Sequence, residues 1–309
     1  MSIFKNWTDE HSAKFQNDIM SVDHKLADTG LFTDAALITL LDKHPSDKLD
    51  VCTMGEHELY PNQFRTGDFR GCGGKFLLGA VKAGKLWINV REAMNIHPEY
   101  KKVLGQMYGG LAEKTGNKEH NARGGILISS PVAKVPYHTD RTHTVLWHVR
   151  GTKKVFIYPM TQKFMSDASY ETVATNSIMD DLPYASDFDN AATVLTLTGG
   201  EMAAWKLNQP HKVVNETFCV SVTTEYSTRK SAFKNSAMYT QSVMRSKFGA
   251  NPIWDETPNG AKMVKSVLGK VLKKTGLRKT IANDDFVTFK VDPSAPGFVM
   301  DIEPVRRDF

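Results

Sequence analysis

The sequence predicts a mainly β, α+β protein: one sandwich- or barrel-like domain with helical elements before it and a helical extension after it. Three observations carry this reading. Between about Leu49 and Tyr226, short apolar runs rich in β-branched and aromatic residues recur between Gly, Pro and Asn punctuation, as strands do. Few helix-length segments separate them, which favours a sandwich or barrel over a parallel α/β sheet. After Ser227 the composition turns helical and basic. With 309 residues, 41% hydrophobic and 24% charged, the chain can bury a sizeable core and falls outside the disordered and disulfide-stapled classes.

Thr8 before Asp9-Glu10 and Thr33 before Asp34 are N-caps of two short helices, the second running to about Lys43. The runs LDVCTM, KFLLGAV and KLWINV are expected as strands, with the Gly-rich stretch Gly67 to Gly74 as a loop between them that could cover a pocket. Pro98 opens a helix to about Lys114. GGILISS, HTVLWHV, KKVFIYP, TVLTLT, EMAAW and TFCVSVTTEY follow as strands. In the C-terminal part, Met263, Val264, Val267, Leu268, Val271 and Leu272 recur at helical spacing, a stripe expected to meet the core or a second copy in a homodimer. The chain divides accordingly into a domain at 1–228 and an extension at 229–309.

Charge is unevenly placed. Residues 229–280 hold 12 Lys or Arg against Asp255 and Glu256, a net +10 that leaves −5 for the remainder. This suits a solvated basic helix or a docking surface for an anionic, macromolecular partner. The three cysteines, Cys52, Cys72 and Cys219, are too few and scattered for a disulfide framework, and no stretch has the apolar length of a leader or membrane span. A cytoplasmic protein is expected.

Chemistry concentrates in two segments, VPYHTDRTHTVLWHVRGTKKVFIYP and GGEMAAWKLNQPHKVV. His138 and Asp140 stand two apart, so on a strand they share a face, and His211 follows the turn-like Gln209-Pro210. Two imidazoles and one carboxylate are the facial triad that holds Fe(II) and leaves coordination positions open. Lys153 lies fifteen residues after His138 at the head of an apolar strand. If it points inward it is an expensive buried charge unless it meets an anion, and a dicarboxylate cosubstrate would supply one. Lys154 competes for that role, because alternation puts the two on opposite faces. His143 and His148 read as surface or supporting residues, and Tyr137, Trp147 and Trp205 as core aromatics with pocket lining open to them.

These motifs resemble the jumonji C (JmjC) and cupin-like branch of the Fe(II)- and 2-oxoglutarate-dependent oxygenases: a His-x-Asp pair, a G-x-K turn, and a distal His after a stretch that here begins at Gly200-Glu201. The likeness covers about residues 123–226. It implies a double-stranded β-helix (jelly-roll) core and a hydroxylase using O2 and 2-oxoglutarate. It further implies that His138, Asp140 and His211 bind iron, that Lys153 pairs with the far carboxylate of 2-oxoglutarate, and that Thr144 touches the cosubstrate. Val135 stands where related hydroxylases carry a Thr. Asp140 argues against the halogenase variants, which lack that carboxylate. The competing expectation is a cupin-like protein that binds a metal or small ligand without catalysis.

Overall fold

The computed structural model describes residues 2–53, 65–117, 119–175, 182–250, 252–275 and 286–309. In chain order the N-terminal part comprises α1 (Asp9–Lys14), β1 (Met20–Asp23), α2 (Asp34–Lys43), β2 (Leu49–Thr53), β3 (Arg65–Asp68), α3 (Gly74–Ala83), β4 (Leu86–Val90), α4 (Ala93–Ile96) and α5 (Pro98–Thr115). Eight strands then follow with one helix among them: β5 (His120–Ser129), β6 (Lys134–His138), β7 (His143–Arg150), β8 (Lys153–Ile157), α6 (Asp167–Thr175), β9 (Thr193–Leu197), β10 (Glu201–Ala204), β11 (His211–Asn215) and β12 (Cys219–Ser227). The chain closes with α7 (Arg229–Phe248), α8 (Asn259–Thr275), β13 (Phe286–Val291) and β14 (Val299–Arg306).

Strands β5 to β12 make the double-stranded β-helix. One sheet contains the run β10-β7-β12-β5 and the facing sheet the order β6-β11-β8-β9, all antiparallel, so the chain crosses between sheets at most turns. The first sheet is extended by β1 at one edge and by β4-β2-β3-β13-β14 at the other, where β13 joins β3 in parallel. The C-terminal strands therefore belong to the main sheet, while α7 packs on α8 and on α6.

Alternation sorts the side chains into three layers. On β7, Val145, Trp147 and Val149 face the large core under the N-terminal helices, whereas Leu146 joins Val155, Ile157, Leu197, Ala203 and Val213 between the two sheets. A third cluster, around Tyr137 and Tyr158, lies on the outer face of the smaller sheet, packed with Phe164, Met165, Tyr170 and Val173 and with Leu182, Tyr184 and Phe188. Burial of these aliphatic and aromatic side chains, each worth roughly 1.5–3 kcal/mol, holds the sheets face to face.

Two expectations are corrected. KFLLGAV is the helix α3, which buries Leu77, Leu78, Ala80 and Val81 and whose Gly74 amide donates to Asp42 Oδ1 at 2.6 Å. A short continuous apolar run has no period that separates helix from strand, and tertiary contact decided it. The Gly-rich stretch is a strand, a turn and the start of α3; Gly67 packs on Phe289, within the sheet extension. Among the described residues no helix is long and apolar enough to cross a membrane.

Candidate metal centre

At one end of the smaller sheet, His138 closes β6 directly opposite His211, which opens β11. Their ring centroids are 4.2 Å apart. Asp140 lies two residues beyond the end of β6 rather than on it, so its position comes from the turn and not from strand alternation. Asn208 sets that turn: its Nδ2 donates to the Asp140 carbonyl at 2.8 Å from a left-handed backbone (φ 60°), a conformation Asn tolerates. His211 Nε2 stands 3.6 Å from Asp140 Oδ2, and the ligating atoms of His138, Asp140 and His211 all lie within 4.8 Å of one another.

The tautomers follow from the hydrogen bonds. His138 Nδ1 donates to the Pro136 carbonyl at 2.8 Å and His211 Nδ1 to the Gln209 carbonyl at 3.0 Å, each two residues back. A neutral ring that donates through Nδ1 keeps its lone pair on Nε2, the arrangement that supports metal ligation. Burial, reinforced by the neighbouring His138, pushes the His211 pKa down to about 4, so this imidazole is neutral at pH 7. Asp140 Oδ2 is buried and has no hydrogen-bond partner among the described residues. Three acceptor atoms thus converge with no protein donor between them, an arrangement that a bound cation satisfies. The donor set fits a divalent transition metal.

The interior of the barrel continues the site. Burial alternates along β8, placing Lys153, Val155 and Ile157 inside; Lys153 is 4% exposed. Its ammonium makes no hydrogen bond or ion pair among the described residues, and burial pushes its pKa below the ordinary lysine range. Lys154 points outward and pairs with Glu216 at 2.6 Å. The turn that delivers Lys153 needs glycine: Gly151 has φ +90°, and a Cβ there would stand 2.1 Å from the Phe218 carbonyl. Thr144 shares the inward face of β7 with Leu146 and His148.

The other sequence candidates separate by geometry. His148 is buried with both ring nitrogens bonded, to Ser221 Oγ at 3.0 Å and the Gly151 carbonyl at 2.8 Å. His143 stacks on Tyr226 at 5.2 Å. Neither is a third imidazole ligand. Trp205 lies against His211, ring to ring at 4.5 Å, and lines the site; Trp147 is in the large core and Tyr137 in the outer cluster, its hydroxyl donating to the Phe164 carbonyl at 2.5 Å. Sequence reasoning missed Asn208, whose only signal is its place just before Gln209-Pro210-His211. It also missed Glu225, paired in register with Thr144 and 3.3 Å from Arg123, whose pKa is raised by burial and by Asp140.

Fold and site together define a double-stranded β-helix carrying a two-histidine, one-aspartate cluster at the end of its smaller sheet. No family model matches the chain, and no curated protein matches it in sequence. Among solved structures it is similar to Escherichia coli YcfD, at 12% identity over 90% of this chain and 70% of that one, with a TM-score of 0.50. Two further structures of that protein, described as a ribosomal oxygenase, hold cobalt with 2-oxoglutarate (11% identity, 89% and 68% coverage, TM-score 0.49) and cobalt with succinic acid (12%, 90% and 69%, 0.47). At this identity the likeness establishes the fold.

Proposed function

We propose that the chain is an Fe(II)- and 2-oxoglutarate-dependent oxygenase of the JmjC and cupin-like kind, acting as a hydroxylase. The observation that carries this is the convergence of three acceptors, His138 Nε2, Asp140 Oδ2 and His211 Nε2, with no donor among them. In this reading those residues hold Fe(II). When bound, the metal supplies the coupling of 2-oxoglutarate decarboxylation by O2 to substrate hydroxylation.

The chain's own residues do the rest. Lys153 offers the far carboxylate of 2-oxoglutarate a buried cation. Its backbone stands four residues along β8 from Ile157, the register partner of His211, roughly 13 Å at the strand rise. A lysine side chain and a five-carbon dicarboxylate in series suit that span. Leu146, Val155, Leu197 and Trp205 exclude water around it, which strengthens the pairing. Thr144 is the inward hydroxyl assigned to the cosubstrate. YcfD, whose fold the chain shares, is described with 2-oxoglutarate, in keeping with this class of reaction.

For the primary substrate, the basic C-terminal helices favour an anionic, macromolecular molecule. They border the site, since Asn235 Nδ2 of α7 donates to the carbonyl of Arg141, the residue after Asp140, at 2.7 Å. Substrate affinity should then fall steeply as salt rises. We place the protein in a reducing, cytoplasmic setting, which suits its thiols at Cys72 and Cys219. The test is anaerobic titration of Fe(II) and 2-oxoglutarate into metal-stripped protein, followed by visible absorption. A metal-to-ligand charge-transfer band that His138→Ala abolishes is expected. Iron binding without that band would return the chain to a non-catalytic cupin-like binder.

A further inference from the structure

At the end of the barrel away from the metal ligands, four strands bring a polar cluster to the interior, and it contains a thiol. Lys153 on β8 is the register partner of Asn215 on β11, so the two side chains share a face. Asn215 Nδ2 reaches across the gap between the sheets and donates to Ser129 Oγ and to the Ser130 carbonyl, both at 2.9 Å. Ser129 is the register partner of Cys219, which opens β12. Val220 and Val222 belong to the large core, so alternation turns Cys219 inward, to the face where Lys153 lies. The Cys219 thiol meets the Thr217 carbonyl at 3.2 Å and the Thr152 carbonyl at 3.3 Å. Across the trans peptide that follows, the Thr152 oxygen stands about 2.8 Å from Lys153 Cα, which places Cys219 Sγ within about 6 Å of that Cα, inside the reach of a lysine side chain. Thiol and ammonium act electrostatically on each other. His148, which also feels Lys153, has both ring nitrogens bonded.

We propose that Cys219 is a redox modification site that closes the cosubstrate pocket: hydrogen peroxide converts its thiol to a sulfenate, whose oxygen pairs with the Lys153 ammonium in place of the far carboxylate of 2-oxoglutarate. This rests on the assignment of Lys153 to the cosubstrate. In the step itself the Sγ proton passes to Lys153 Nζ, and the sulfur attacks one peroxide oxygen. The O–O bond breaks, and the leaving hydroxide takes the sulfenic proton and departs as water. Thiol, amine and peroxide thus become sulfenate, ammonium and water, the sulfur giving up the two electrons that the peroxide gains. Burial holds both partners neutral beforehand, lowering the lysine pKa and raising that of the thiol, so Lys153 is able to act as the base. Afterwards a buried ammonium without an anion has one. Cys219 is 0% exposed, so the oxidant must be as small as the dioxygen that the proposed reaction admits to the barrel, and peroxide is. Cys72 offers the contrast: it is more exposed, and its thiol pKa is raised by burial and by Asp68 and Asp292, which oppose a thiolate.

The test treats the metal-stripped full chain with hydrogen peroxide. One portion is quenched in denaturant containing dimedone, and each cysteine is read by peptide mass spectrometry. The other is freed of peroxide, loaded with Mn(II) and titrated with 2-oxoglutarate in a calorimeter. Dimedone should mark Cys219 ahead of Cys72, and Lys153→Met should slow that labelling at least about tenfold. Oxidation should weaken 2-oxoglutarate binding about 30-fold or more, and dithiothreitol should restore it. Cys219→Ser, which keeps a donor for the Thr152 and Thr217 carbonyls, should bind the cosubstrate equally before and after peroxide. An unlabelled Cys219, a labelling rate indifferent to Lys153→Met, or a labelled protein with unchanged 2-oxoglutarate affinity would overturn the proposal. Reduced wild type that binds no 2-oxoglutarate would overturn the cosubstrate reading and the switch with it, and is told apart from the other failures because it needs no peroxide.

Discussion

Replacing Lys153 with methionine removes a buried ammonium and keeps most of the side-chain volume. The wild-type group is enclosed between the sheets without an ion pair among the described residues, and its pKa is depressed by burial. Exchanging an uncompensated buried charge for an apolar side chain is neutral or stabilising by about 1–4 kcal/mol. For a chain of this length each kcal/mol moves Tm by about 2 °C, so metal-stripped Lys153→Met should melt between the wild-type temperature and roughly 8 °C above it. The cosubstrate should respond in the opposite direction. Wild-type protein loaded with Mn(II), and with 2-oxoglutarate at 100 times its Kd, gains about 2.7 kcal/mol. Loss of the charge partner costs binding about 2–5 kcal/mol, which removes about two thirds or more of that gain at the same concentration.

The pH dependence gives the same group a second signature. With the folded pKa below the unfolded one, the unfolded chain holds more protons between the two values. Stability of the cosubstrate-free wild type therefore rises with pH across that window, and this contribution is absent from Lys153→Met. Differential scanning calorimetry of both proteins, with and without 2-oxoglutarate, reads all of these quantities. A large fall in the melting temperature of metal-stripped Lys153→Met, or an undiminished response to 2-oxoglutarate, would refute the assignment of Lys153 as the cosubstrate's cation.

Asn208→Gly keeps the left-handed backbone but removes the amide that holds the Asp140 carbonyl, and should weaken Mn(II) affinity about 10–100-fold in a calorimetric titration with little change in fold. Gly151→Ala forces a Cβ against the Phe218 carbonyl at φ +90° and should cost about 3 kcal/mol or more, read from urea denaturation; retention of wild-type stability would contradict the turn geometry. His24, His143, His148 and His211 are each pushed to about 4 by burial. Below the unfolded histidine value of about 6.5 the unfolded chain takes up protons that the folded one refuses, so metal-free stability should fall by about 1–2 kcal/mol per histidine between pH 7 and 5. A flat thermal-melt profile across that range would contradict their burial in the neutral form.

The strand KKVFIYP was legible because a half-buried strand writes its alternation into the sequence, and that alternation makes Lys153 and Lys154 an either-or pair, whereas HTVLWHV, buried on both faces, showed itself as a short run of β-branched and aromatic residues. The candidate ligands were legible because few residue types can hold a divalent ion, and His138, Asp140 and His211 stand near strand ends. Strand pairing was not legible, since register joins residues more than seventy positions apart, as His138 and His211 are, and nothing local encodes it. KFLLGAV shows the same limit in one segment, because a uniformly apolar run fits either a helix or a strand and only the neighbours that bury it decide. Asn208 and Glu225 became visible only once folding brought their segments beside Asp140 and Thr144. The stripe on α8 was visible as a pattern, but a pattern cannot say which face is covered. In three dimensions the close approach of Gly269 to Ser236 turned the small and polar side of α8 against α7 and left the valines outside.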